Sequence, residues 1–134
     1  MKKHEILEHA ADMKIRAVGK SLEEVFVNSA YGMMEYIYGK QAEKGECREE
    51  TIEAEGIDSE SLLVNWLSEI LYLSDANNRA YFDFEILDFG EFFIKAKAKS
   101  CAASAQDDIK AVTYNEIKVE KRDGGWVAEV VFDV

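Results

Sequence analysis

The chain closes on Asp133 and Val134, so a side-chain carboxylate stands beside the main-chain carboxylate. Both groups only accept hydrogen bonds; held close together they repel unless a cation sits between them, and all-oxygen clusters suit hard cations. The preceding residues alternate, with Trp126, Ala128, Val130 and Phe132 on one face and Val127, Glu129, Val131 and Asp133 on the other. That pattern predicts a strand that holds the terminus in a sheet. The competing reading is a strand that runs out into water with both carboxylates solvated.

Further polar residues fall at predicted strand ends or turns and are candidates to converge with Asp133: His9, Asp12, Lys110, Tyr114 and Asn115. His9 has the near-neutral imidazole of a ligand or proton carrier, or is a structural histidine satisfied by a backbone group. Asp12 follows two alanines in a tight connection, where aspartate also serves as its own turn former. Lys110 offers an anion contact ahead of an apolar strand, and Asn115 has an acceptor oxygen that a cation site can use. No P-loop, dinucleotide fingerprint, Ser-His-Asp or Cys-His arrangement is present, and two histidines supply a histidine-based hydrolase poorly.

These residues must be carried by one domain, because 134 residues make a single core of ordinary size. The chain is 48% hydrophobic and 32% charged and has no long apolar run or leader-like stretch behind Met1-Lys2-Lys3, so a soluble, cytoplasmic protein without a membrane span is expected. Its 16 basic and 27 acidic residues give a net charge of -11. Such a surface repels phosphate backbones and fits a basic partner or a cation. Lys95, Lys97 and Lys99 form a local exception at period two; they are expected to pair with Asp83 and Glu85 across a hairpin or to guard a sheet face. Cys47 and Cys101 lack CxxC spacing and are expected as packing or surface thiols.

Strands are predicted at about His4 to His9 and Lys14 to Val18, joined through Ala10-Ala11-Asp12. Ser21-Leu22-Glu23-Glu24 reads as a capping box that starts a helix, with Leu22, Val25, Phe26, Ala30, Met33 and Ile37 as its apolar stripe and Gly39 as its end. A charged connection, Glu43 to Glu50, leads to a strand at about Glu49 to Ala54. Asp58 caps a second helix whose Leu62, Leu63, Trp66, Leu67, Ile70, Leu71 and Leu73 spread around more than one face, predicting the more buried of the two helices. Phe82, Phe84 and Ile86, then Phe92, Ile94, Ala96 and Ala98, alternate on either side of an Asp88-Phe89-Gly90-Glu91 turn. Ser100 to Asp108 is expected as a loop. A last hairpin pairs about Thr113 to Lys121 with Trp126 to Val134 across Arg122-Asp123-Gly124-Gly125. The class is α+β, with two amphipathic helices packed on a mixed, mostly antiparallel sheet or sandwich of about seven strands.

The segment His4-Glu5-Ile6-Leu7-Glu8-His9-Ala10-Ala11-Asp12-Met13-Lys14-Ile15 resembles the opening of archease proteins. Ser21 to Phe26, Leu62 to Leu73, Ile109 to Tyr114 and Gly125 to Val134 resemble that family's later blocks in order, so the likeness spans nearly the whole chain. The resemblance implies a small cytoplasmic activator of the GTP-dependent RNA ligase that joins tRNA halves in splicing, promoting the ligase's guanylylation and multiple turnover without itself being an enzyme. It implies that the family's metal-associated aspartate is Asp12 and its C-terminal acidic position Asp133, with the Val134 carboxylate adjacent, and that Lys110 is the lysine of the strand block. His9 and Asn115 would stand around that site. Two departures stand out: Asn115 occupies a usual histidine position, and Ala102 to Ala105 replace a loop histidine. Asn65 also replaces a usual aspartate. An oxygen-only set of Asp12, Asp133 and the terminus favours calcium, or magnesium, over zinc. Two other classes compete with a ligase activator whose contact with RNA is indirect or transient. One is a small metal-dependent hydrolase; the other is an RNA-binding or chaperone-like module.

Overall fold

Ser21 ends one element and starts the next: its backbone is extended, and its hydroxyl accepts the Glu24 amide at 3.2 Å, satisfying one of the free donors of a helix start. The helix that follows, α1 (Leu22–Tyr38), stops at Gly39, whose φ of 71° is cheap only for glycine. The second helix, α2 (Ser59–Asn77), carries the reciprocal capping box, formed by Asp58 and Ser61, and ends on Asn78 in the left-handed region. The structure, a computed structural model, describes residues 3–8, 12–39 and 46–134. His9, the Ala10-Ala11 turn and the start of the charged connection lie outside the described residues.

The strands are β1 (His4–Glu8), β2 (Asp12–Gly19), β3 (Cys47–Glu55), β4 (Arg79–Phe89), β5 (Phe93–Ala102), β6 (Ala111–Val112), β7 (Lys118–Arg122) and β8 (Gly125–Asp133). One sheet runs β1-β2-β8-β6, with β7 also paired to β8; the other runs β3-β5-β4. Every pairing among them is antiparallel. The α+β class expected from the sequence is the one that forms. Phe26, Met33, Trp66, Leu67 and Ile70 of the helices pack with Met13, Ile15, Val130 and Phe132 of the first sheet and Tyr81, Ile94 and Ala96 of the second in one core. No helix among the described residues is long and apolar enough to cross a membrane.

Several expectations are corrected. The helix α1, not α2, is the more buried, with ten of its 17 residues buried against seven of 19. Ser29, Ala30 and Gly32 let its backbone approach the sheet so closely that a Cβ at Gly32 would lie 3.0 Å from Ile15 Cγ2, whereas Tyr72 on α2 faces solvent. The strand β5 continues to Ala102, where a loop is expected from Ser100. The strand expected from Thr113 to Lys121 is broken: Thr113 Oγ1 donates to the Val131 carbonyl at 2.9 Å and accepts the Asn115 amide at 3.2 Å, and Glu116 has φ 54°. That side chain offers the backbone an alternative to the ladder.

Cys47 and Cys101 are not separate thiols. The β3–β5 register sets them directly opposite, with Cα atoms 4.0 Å apart, and they form a disulfide. The lysine row is neutralised mainly from β3: Lys95 pairs with Glu53 at 3.7 Å, Lys97 with Glu49 at 3.4 Å and Glu85 at 3.7 Å, and Lys99 stands 5.7 Å from the Phe82 ring centre. Asp83, expected as a partner, instead occupies a β-bulge with φ 53°, its amide donating to the Tyr31 hydroxyl at 2.9 Å.

Candidate functional site

The register between β2 and β8 runs from Gly19 opposite Trp126 to Asp12 opposite Asp133. Met13, Ile15 and Ala17 point into the core against Phe132, Val130 and Ala128, all 1% exposed or less. Period two then places Asp12 and Asp133 on the outer face as a facing pair, with Cβ atoms about 4.5–5.5 Å apart. Directly opposed like charges destabilise a sheet. The carboxylates therefore do not point to opposite sides of the molecule.

The other edge of β8 receives β6, with Ala111 opposite Asp133 and the Lys110 amide donating to the Asp133 carbonyl at 2.8 Å. Residues from the two ends of the chain and from the Lys110 segment thus meet at one corner. Asp12 is half-buried, Asp133 and Lys110 are exposed, and Val134 is half-buried against the core. Asn115 is not part of the facing pair. It sits exposed on the turn that Thr113 anchors to Val131, further back along β8. His9 cannot be placed, since it lies outside the described residues.

The next residue along the outer face of β2, Lys14, is turned away from the aspartates and toward Glu129 at 3.7 Å, which Arg16 also approaches at 3.5 Å. Arg16 Nε is within ion-pair range of Glu129 without the alignment of a hydrogen bond. No group of three or more His, Cys, Asp or Glu among the described residues is arranged to hold a metal. The side-chain donors at the corner are therefore two carboxylates, a set whose chemistry suits a hard cation completed by other oxygens.

A second polar cluster escapes sequence reasoning. Glu50 on β3 accepts hydrogen bonds from the Tyr81 hydroxyl at 3.0 Å, from Ser100 Oγ at 2.5 Å and from Arg48 Nε at 3.3 Å. Arg79, 7% exposed, donates to Ser100 Oγ, to the Ser100 carbonyl and to the Glu46 carbonyl at 2.8 to 2.9 Å. Burial pushes the Glu50 carboxyl up, but the donors Ser100, Tyr81 and Arg48 together outweigh it and hold the group below its ordinary value. Burial, and then Glu50, push the Tyr81 phenol up to about 12. Every polar atom named here has a protein partner, which marks the cluster as structural. The available signal is a glutamate on the inward face of β3, in line with Ile52 and Ala54.

Residues 4–134 match the model of the Archease protein family. Among curated proteins, the archease of Methanosarcina mazei is 41% identical over 142 residues, covering 99% of this chain and 97% of its own length. The archease of Pyrococcus abyssi is 39% identical with full coverage of both chains. The solution structure of protein 1598 of Methanobacterium thermoautotrophicum superposes with a TM-score of 0.80 at 27% identity, covering 100% of both chains. An archease from Thermotoga maritima, described as a possible chaperone, shares the fold at a TM-score of 0.64 and 22% identity, over 96% of this chain and 94% of that one. A whole-length family match, relatives this similar and a common fold agree with the order of the sequence blocks, and this chain belongs to the archease family.

Proposed function

We propose that this chain is a noncatalytic, cytoplasmic activator of the GTP-dependent tRNA-splicing RNA ligase, promoting that enzyme's guanylylation and multiple turnover. The observation that carries the proposal is the facing pair Asp12 and Asp133 in a chain of the archease family. Two acceptor-only groups opposed on an exposed corner store repulsion that a divalent cation, calcium or magnesium, would relieve. Asp12, Asp133 and the Val134 carboxylate are the proposed ligands, and Lys110 the contact for an anionic group. Asn115 is left to the periphery. When bound, the cation supplies positive charge and open positions for further oxygen ligands such as phosphate. The chain's own residues hold it at the sheet corner and keep Lys14 and Arg16 engaged elsewhere.

The deciding measurement is RNA ligation by the ligase under multiple turnover, with and without this protein, together with guanylylation of the ligase. Stimulation that is lost in Asp12→Asn and Asp133→Asn supports the reading. Unchanged guanylylation and turnover on adding the wild-type protein refutes it. A C-terminal extension beyond Val134 should reduce stimulation with the fold intact; full stimulation would remove the terminus from the ligand set. Direct RNA binding has less support, because Glu49, Glu53 and Glu85 offset the lysine row. A hydrolase would turn over phosphoesters without any partner.

A further inference from the structure

At the opposite kind of surface from the aspartate corner, apolar side chains stand in water beside carboxylates that form no ion pair with a described residue. The Gly56 amide donates to the Phe92 carbonyl at 2.9 Å and Glu55 lies opposite Phe93, so the end of β3 and the β4–β5 turn come together. Ile57, Phe92 and Phe93 meet solvent there, at 83%, 50% and 40% exposure. Isolated exposed apolar residues need no explanation, but adjoining large ones do. Two of them are held in place: Ile57 between Gly56 and the cap of α2, and Phe93 with its ring over Gly90, where an added Cβ would lie 2.4 Å away.

A groove of about 340 Å³ reaches Glu55, the residue before Gly56, and is lined by Glu53, Ala54, Glu55, Asn65, Ser68 and Glu69. It follows the outer edge of β3, an end strand with which no described strand pairs on that side. Asn65 donates to the Glu55 carbonyl at 2.7 Å and so fixes the groove's wall. Glu53 shares Lys95, whereas no ion pair with a described residue engages Glu55 or Glu69. An apolar end joined to a carboxylate-lined strand edge is complementary to an extended segment that carries one large apolar residue beside lysine or arginine.

We infer that this groove and its apolar end dock such a basic, apolar-anchored segment of a partner protein, at a surface separate from Asp12 and Asp133. The inference rests on the reading that the chain acts through a protein partner. Nucleic acid does not fit, because the groove carries only negative charge.

The test uses the full chain and short synthetic peptides in which lysines flank a single phenylalanine. Controls replace lysine by glutamate or phenylalanine by alanine. Amide shifts should map to residues near Glu55, Ile57, Glu69 and Phe92, and both controls should bind roughly tenfold or more weakly. Ile57→Ser with Phe92→Ser, and separately Glu55→Gln with Glu69→Gln, should lose binding while melting like the wild type, since all four side chains lie outside the core cluster. Equal binding of the glutamate peptide, shifts elsewhere, displacement of the peptide by single-stranded RNA, or no binding would each overturn the inference. Ligase assays separate the two readings. Peptide binding without stimulation of the ligase would sink the activator role alone. Stimulation and ligase affinity unchanged in both groove variants would sink the docking surface alone.

Discussion

Tyr81 and Glu50 are joined across the second sheet, the phenol donating to both carboxylate oxygens at 3.0 Å from a fully buried ring. The arrangement has opposite consequences at the two ends of the pH scale. A carboxyl held below its ordinary value contributes stability that is present above the unfolded value, about 4.3, and is lost as pH falls toward the folded value. A phenol raised from 10.0 to about 12 contributes stability that is present below 10.0 and is lost as pH rises toward about 12.

Tyr81→Phe should therefore cost roughly 1–2 kcal/mol at neutral pH, because a charged acceptor loses one donor but keeps Ser100 and Arg48. Urea titrations across pH are the check. The variant should lose less stability than the wild type as pH falls below the unfolded carboxyl value, because its Glu50 lies closer to that value, and should lack the alkaline slope between 10.0 and about 12. An alkaline slope that survives the substitution would show that another group carries it.

The Cys47–Cys101 bond closes a loop across a sequence separation of 54. In the chain-entropy model a loop of that size restricts the unfolded state by about 4 kcal/mol, and measured values commonly fall at 2–4 kcal/mol. Cys47→Ser should lower the guanidinium midpoint accordingly, and reductant should lower the wild type to a similar value. Identical midpoints for the wild type with and without reductant would mean that the bond adds nothing. Alkylation before and after reduction reports whether the pair is oxidised in cells.

What the sequence makes legible here is what local chemistry decides. Ser21 and Gly39 bound α1, Asp58 caps α2, and Asp123-Gly124 turn β7 into β8 with φ of 47° and 77°, as the mirror-image hairpin turn requires. Alternation along β8 separates its core face from the face that carries Asp133, and Asp12 stands at the start of β2, so the corner is readable from strand ends alone. Features decided over long separations are not. Simple alternation puts Phe82, Phe84 and Ile86 on one face of β4, yet bulges at Phe82–Glu85 and Ile86–Asp88 shift the register, burying Tyr81 and Arg79 at the start of that strand. At the first bulge the Asp83 amide donates to the Tyr31 hydroxyl on α1, 52 residues away. The disulfide and the Glu50 cluster likewise depend on the β3–β5 register, which no local signal reports.

Two glycines separate backbone strain from steric conflict. A Cβ on Gly124 would meet nothing within 4 Å, so Gly124→Ala tests the positive φ alone and should cost about 1 kcal/mol. A Cβ on Gly56 would fall 2.5 Å from the Leu62 amide nitrogen, and neither backbone can yield without moving the start of α2. Gly56→Ala should cost clearly more, roughly 2–3 kcal/mol, as overpacking does. Thermal melts of the two variants rank the effects; the reverse order would mean that the close approach of β3 and α2 is wrongly placed.

The facing aspartates give a prediction whose sign depends on the medium. Without a cation, opposed like charges at Asp12 and Asp133 destabilise the end of the β2–β8 ladder, and relieving one should stabilise the protein by a few tenths to 1 kcal/mol. In chelator, Asp133→Asn should therefore melt slightly above the wild type. Added calcium or magnesium stabilises only a folded state that binds it, by about 2.7 kcal/mol at a concentration 100 times the dissociation constant. The wild type should then gain and the variant should not, so their order reverses. Asp123→Asn, on the exposed hairpin turn, controls for a general response to charge. If cations leave the wild-type melt unmoved while Asp133→Asn still melts higher, the pair is a site of simple repulsion and the cation leaves the proposed function.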